Sequence, residues 1–249
     1  MQLTITAIDG IPEVRPGDDL PGLILSGCEA TDVRLEPGDI LVVTQKIVSK
    51  AEGASVDLDQ VEPSAFAIDY ANRWGKDPRQ VEVVLRESVR VVRMDKGVLI
   101  TETRHGLVCA NSGVDASNVP GGHIVTLLPK DPDASAARLR QAIQDRAGVD
   151  VPVIISDSFG RTWRNGIINV AVGISGLQAL IDYRGQDDPY GYRMSATVIA
   201  IADELASAAE LAMGKVEARP VALIKGYPYT PAPGTAHELV IDPERDMFR

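Results

Sequence analysis

Apolar runs that break abruptly into polar loops recur along this chain, and they predict buried strands that feed loops at one end. Val153-Ile154-Ile155 passes without a linker into Ser156-Asp157-Ser158-Phe159-Gly160-Arg161-Thr162-Trp163-Arg164-Asn165-Gly166. Asp39-Ile40-Leu41-Val42-Val43-Thr44 is too apolar for a one-sided strand and suits a sheet centre, and it changes into Gln45-Lys46-Ile47-Val48-Ser49-Lys50. A helical continuation there places Lys46 and Lys50, four residues apart, on one face. A third apolar run ends at Cys109 and gives way to a loop of small and polar residues that includes Asp115 and Asn118.

The remaining pattern supplies the scaffold. Leu3, Ile5 and Ala7 alternate with Thr4 and Thr6, as in a half-buried strand. Asp18 or Asp19 can cap a helix with Leu20, Leu23, Ile24 and Cys28 on one face. Phe66, Tyr70 and Trp74 recur every four residues and read as an aromatic stripe facing a core. Asp77-Pro78 and Asp131-Pro132 are each an N-cap followed by proline at the first helical position, and Gly148 closes the second helix. Apolar runs on either side of Lys96-Gly97 predict a hairpin, and residues 123–128 a further strand. The glycine-interrupted residues 171–177 suggest close backbone packing rather than chemistry. A helix is expected over 196–212, stopped by Gly214, with Asp203, Glu204 and Glu210 on a solvated face. A last buried strand over 220–224 precedes a proline-rich surface tail.

Hairpins are too frequent for a simple βαβ series. The expected fold is therefore α/β in the mixed α+β sense, with mixed, largely antiparallel sheets and packed helices. It is read as one domain over 1–249, built as two lobes, since no repeat or linker divides the chain.

Composition narrows the function. Of 249 residues, 45% are hydrophobic but only 4% aromatic, so the core must be mainly aliphatic. Thirty-five acids against 25 bases give a net charge of −10, which argues against a broad basic face for nucleic acid but leaves room for a local nucleotide site. Cys28 and Cys109 make no disulfide framework and have no metal-ligand spacing. The amino-terminal residues lack signal-peptide character, and no window approaches the ~18 apolar residues of a membrane span, so a soluble cytoplasmic protein is expected. Neither G-x-x-x-x-G-K-[ST] nor a post-strand G-x-G-x-x-G occurs, so any nucleotide is held without a P-loop.

Among the polar loops, Asp115 and Asp157 are the best carboxylate pair for two hard divalent cations bridging protein and polyphosphate, with Ser158 as a further oxygen group. Lys50, Arg161 and Arg164 could neutralise phosphate charge. That combination reads as phosphoryl transfer from a nucleotide. The blander alternative is a strand end whose Asp caps a helix and whose arginines pair with surface acids.

The residues also carry a resemblance. Gly10-Ile11-Pro12-Glu13 with Pro16-Gly17-Asp18-Asp19-Leu20, the stretch from Gly38 to Lys50, Gly113-Val114-Asp115-Ala116-Ser117-Asn118-Val119, Leu128-Pro129-Lys130-Asp131-Pro132-Asp133-Ala134-Ser135, and the stretch from Ser156 to Gly166 together resemble the coenzyme F420-0:L-glutamate ligase family. The similarity runs in order over nearly the whole chain. It implies a GTP-dependent ligase that adds one or more L-glutamates, γ-linked after the first, to the carboxylate of coenzyme F420-0. The implied route passes through an acyl phosphate and releases GDP and phosphate.

It further implies that Ile11, Pro12, Glu13, Val14, Gln45, Lys50 and Asn118 contact the guanine nucleotide. Asp115, Asp157 and Ser158 would hold two Mg²⁺ or Mn²⁺ ions, with K⁺ a further candidate. Asp115, Asp157 and Arg161 are the expected catalytic residues, and Lys215 and Glu217 lie in a region the family brings to the site. Gln45 departs from relatives that carry Ser, and Ser158 from those that carry Thr. Some relatives fuse this domain to a flavin-binding reductase-like domain; no counterpart follows here, so a stand-alone ligase or a truncated chain is expected. The resemblance also implies a homodimer. Its rivals are a metal-dependent nucleotide phosphohydrolase and a GTP-binding module without turnover.

Overall fold

A computed structural model describes residues 1–116 and 122–247. In chain order the elements are β1 (Thr4–Ala7), α1 (Leu20–Ala30), β2 (Ile40–Thr44), α2 (Gln45–Ala51), β3 (Ser55–Asp57), α3 (Ala65–Trp74) and α4 (Pro78–Arg86). There follow β4 (Ser88–Asp95), β5 (Val98–Thr103), β6 (Val108–Ala110), β7 (Ile124–Thr126), α5 (Pro132–Ala147) and β8 (Val153–Arg161). The chain continues through β9 (Arg164–Ser175), β10 (Ile181–Asp182), β11 (Val198–Ile199), α6 (Ile201–Met213) and β12 (Val221–Lys225). Helices and mixed, mostly antiparallel sheets make this a mixed α/β fold.

The main sheet has the order β1-β12-β2-β8-β9. Its central strands β2 and β12 and the first residues of β8 are apolar on both faces because both faces are covered, which is what the near-continuous run through β2 predicted. Leu41, Val43, Val153, Ile155 and Leu223 face one core together with Ile24, Ile47, Leu139 and Ile143 of α1, α2 and α5. The alternate residues Ile40, Val42, Ile154, Ala222 and Ile224 face a second core against Leu205, Ala209 and Met213 of α6. A third core draws on residues 58–125, with Tyr70, Val81, Val84, Leu99 and Val125 at its heart, beside the β4-β5-β6 sheet.

The caps behave as composition demands. Asp77 accepts from the Arg79 amide and Asp131 from the Ala134 amide, and Gly75 and Gly148 end their helices in left-handed conformation. At residues 171–177 the close packing is literal: a Cβ on Gly173 would lie 2.4 Å from the Pro132 carbonyl oxygen.

Four expectations need correction. Tyr70 is buried, but Phe66 and Trp74 are 47% and 41% exposed. A four-residue spacing overshoots the 3.6-residue turn, so three such side chains drift around the helix instead of sharing one buried line. The last long helix starts at Ile201, because Val198–Ile199 pairs with β10 as a strand. Asp203 and Glu210 do not belong to a solvated face. Asp203 Oδ1 accepts the Ala171 amide at 2.8 Å, and Glu210 turns toward β9. Nor is the carboxyl-terminal stretch only a surface tail. Tyr227, Tyr229 and Leu239 pack on the second core, and the Ala236 amide donates to Asp133 Oδ1 at 2.9 Å.

Candidate functional site

Strand direction decides where the polar loops gather. β2 and β8 are parallel neighbours, so both release their chains at the same edge of the sheet, the usual location of ligand sites in such sheets. β12 runs antiparallel to β2, and β1 antiparallel to β12. The segment after β1 and the segment before β12 therefore arrive at that same edge. The Asp115 segment joins them from the third core, held by reciprocal backbone bonds between Asp115 and Thr126 of 3.0 and 2.8 Å.

The result is a cleft of about 660 Å³. Ile11, Pro12, Glu13 and Val14 line it, as do Gln45 and Lys50, Asp115, Asp157 and Ser158. Residues expected from sequence to share a site are thus brought together from four separate segments. Asn118 lies outside the described residues. Arg161 does not line the cleft. It sits near the turn of the β8–β9 hairpin, its guanidinium donating to the Asn165 carbonyl at 2.5 Å. Lys215 lines the cleft, whereas Glu217 folds onto its own loop and accepts the Val216 amide at 2.9 Å.

A local irregularity aims the key carboxylate. The β8–β9 register shifts between Ile155 and Ser156, one residue before Asp157. Such bulges bend a strand and redirect its side chains. Burial pushes the Asp157 carboxyl up to about 6; the Ser158 amide lowers it, the Asp115 charge raises it, and Lys46 and Gln45 lower it. Gln45 is itself buried, and Ser49 Oγ donates to its Oε1 at 2.7 Å, which fixes the amide under the carboxylate.

Cations and acids alternate around the walls. Lys46 Nζ lies 2.5 Å from Asp115 Oδ2, Lys50 Nζ 2.5 Å from Glu13 Oε1, and Arg219 Nε 2.7 Å from Asp9 Oδ1. On the opposite wall Lys215 Nζ donates to Ser158 Oγ at 2.5 Å and contacts Glu210 Oε1 at 2.9 Å. Ser158 Oγ donates to Asn169 Oδ1 at 2.8 Å, and Asn169 Nδ2 to Glu210 Oε2 at 2.7 Å. Ser156 Oγ is buried with no hydrogen-bond partner, and the residue lines the cleft. Sequence reasoning had not placed Ser156, Asn169, Glu210 or Arg219 here. Only Lys46 had left a signal, through its spacing to Lys50.

The donor set bears on a metal. Among the described residues no group of three or more His, Cys, Asp or Glu side chains is arranged to hold one. Two carboxylates with serine hydroxyls nevertheless suit a hard ion that keeps waters and shares its remaining positions with phosphate oxygens, as Mg²⁺ does. The unpartnered Ser156 hydroxyl and the mutual repulsion of Asp115 and Asp157 would both be relieved by such an ion. Among the described residues no helix is long and apolar enough to cross a membrane.

Comparison with known proteins gives the family. The family model described as F420-0:Gamma-glutamyl ligase matches residues 10–226, a span that includes every cleft-lining residue named above. The chain is 48% identical over 242 residues to the coenzyme F420:L-glutamate ligase of Methanopyrus kandleri, covering 95% of this chain and 94% of that protein. It is 43% identical over 252 residues to the enzyme of the same name from Methanothermobacter thermautotrophicus, covering both chains fully. Against that of Methanocaldococcus jannaschii it is 45% identical over 216 residues, 86% of each chain. By identity and by the extent of the match, the chain belongs to the F420-0:gamma-glutamyl ligase family.

Proposed function

We propose that this protein joins L-glutamate to coenzyme F420-0 by an amide bond, one or more residues per acceptor and γ-linked after the first, using GTP. The observation that carries the reading is the meeting of Asp115, Asp157, Lys46 and Lys50 in one cleft at the carboxyl ends of parallel strands, in a chain of this family. Full-length similarity to proteins named for this reaction supports the substrates.

The chemistry follows from what the cleft offers. A carboxylate oxygen of F420-0 attacks the γ-phosphorus of GTP; an acyl phosphate forms and GDP leaves. The amine of glutamate then attacks the acyl carbon, the C–O bond to phosphate breaks, and the amine proton is lost as phosphate departs. No protein nucleophile is needed, so the residues work by positioning and by field. The turn at Ile11–Val14 and Gln45, which line the cleft, would hold the nucleoside end, with Asn118 a further proposed contact. Lys50 and Lys215 offer ammonium groups to phosphate oxygens, and Arg161 remains a proposed clamp if the β8–β9 hairpin turns its guanidinium inward. Asp115, Asp157 and Ser158 would hold Mg²⁺ or Mn²⁺, probed as two ions, which when bound supply charge neutralisation to the phosphates. K⁺ and a homodimeric assembly are further parts of the proposal.

Hydroxylamine tests the intermediate. Offered in place of glutamate with GTP and F420-0, it should capture the acyl group as a hydroxamate while GDP accumulates. GDP formation that requires glutamate, with no hydroxamate, would contradict a free-standing acyl phosphate.

A further inference from the structure

Lys46 stands where an ion would otherwise be expected. It is the second residue of α2, its side chain is 19% exposed, and its ammonium lies 2.5 Å from Asp115 Oδ2. Asp157 comes into the same cleft from β8, and the Asp115 and Lys46 charges act on it in opposite senses. Two carboxylates brought together in an enclosed site repel one another, and a resident cation offsets the repulsion. An ammonium on a flexible four-carbon stem is a mobile point charge, well suited to hold this place temporarily.

We propose that Lys46 is the resident counter-ion of the Asp115–Asp157 pair, that an entering divalent cation displaces it from Asp115, and that the released ammonium moves to a phosphate oxygen of the bound nucleotide. The inference rests on the nucleotide-and-metal reading above and gives Lys46 a specific task within it. It makes the site self-neutralised before substrate arrives. It also couples the two ligands: the metal must dislodge Lys46, and the nucleotide gives Lys46 a new partner, so each strengthens the other's binding reciprocally. Metal alone should bind weakly.

The test uses Mn²⁺ binding to the folded chain, followed by the electron paramagnetic resonance signal of free Mn²⁺, with and without GTP. Lys46→Met removes the ammonium at similar volume and is expected to tighten Mn²⁺ binding without nucleotide by about ten-fold, within the ordinary range of coupling between sites. The same variant should lose most of the further tightening that GTP brings in the unaltered protein. Lys46→Arg keeps the charge and is expected to bind Mn²⁺ alone no more tightly than the unaltered protein. Mn²⁺ affinity that is unchanged or weaker in Lys46→Met, with GTP strengthening it as before, would overturn the exchange and leave the ligase reading intact. Equal tightening in Lys46→Arg would overturn it too, by assigning the effect to packing. No Mn²⁺ binding to any of the three proteins, with or without GTP, would overturn both readings.

Discussion

Thr44 and Ser156 stand opposite one another in the parallel ladder between β2 and β8. That pairing is the last on the ladder, so the next residues of each strand leave it together. On one side the chain turns directly into α2 and delivers Gln45, Lys46 and Lys50; on the other β8 runs on beside β9 alone and delivers Asp157 and Ser158. Two stretches more than a hundred residues apart in sequence thereby share one cleft, and the site is a consequence of sheet topology before it is one of side-chain chemistry.

Asp157 should trade stability for function. Its carboxyl is raised from 3.8 to about 6, chiefly by burial. Between those values the folded chain keeps a proton that the unfolded chain has lost, so stability falls as pH rises through this window and levels off above it. Asp157→Asn abolishes that slope. The variant should lose ligase activity yet be more stable than the unaltered protein at pH 7, by up to about 3 kcal/mol, with the difference vanishing near pH 4. Urea unfolding without metal at several pH values measures this. A variant that is less stable at pH 7 would show that the burial does not penalise the carboxylate.

Asn169 should matter through its partners. It is buried, accepts from Ser158 and donates to Glu210, and so ties β9 to α6 across the cleft wall. Asn169→Ala leaves both groups short of a partner, at an expected cost of about 1–3 kcal/mol. Because Ser158 and Lys215 are then released from their arrangement, kcat/KM should fall as well. Chemical denaturation together with steady-state rates separates the two effects. Unaltered kinetics in a destabilised variant would make the network purely structural.

Much of this was legible beforehand, and the rest was hidden for definable reasons. Caps such as Asp77-Pro78 and Asp131-Pro132 are local devices, and local sequence reveals them. The apolar runs of β2 and β8 announce buried strands, and their polar ends announce the cleft. Glu210 carries no such signal: an acid at a helical position looks solvated until the fold places Asn169, 41 residues earlier, against it. Ser156 was hidden in the same way, by a bulge that periodicity cannot foresee. Arg161 is the reverse case, a residue of suggestive type that the hairpin turn directs toward Asn165.

Gly173 should be intolerant of any side chain. The Cβ of an alanine there would meet the backbone of Pro132 at the start of α5, and backbone cannot yield as a side-chain tip can. Gly173→Ala is expected to cost about 1–3 kcal/mol or more. A thermal unfolding midpoint equal to that of the unaltered protein would contradict the tight β9–α5 contact.

The two thiols should be silent in the native state. Burial, aided by Glu29, pushes Cys28 up to about 11; burial, aided by Asp157, pushes Cys109 up to about 12. Neither forms appreciable thiolate at pH 8, and the thiolate is the reactive species. A chromogenic disulfide reagent should therefore titrate no thiol in the folded protein and both in denaturant. Rapid native labelling of either would indicate local opening of its core.

Glutamyl transfer is read by mass spectrometry of F420-0 incubated with the protein, GTP, L-glutamate and Mg²⁺ or Mn²⁺, alongside reactions lacking each component in turn. The expected result is a mass increase of one or more glutamyl units that requires every component and disappears in Asp157→Asn. GDP accumulating with no glutamyl adduct, or an adduct formed without GTP, would contradict it.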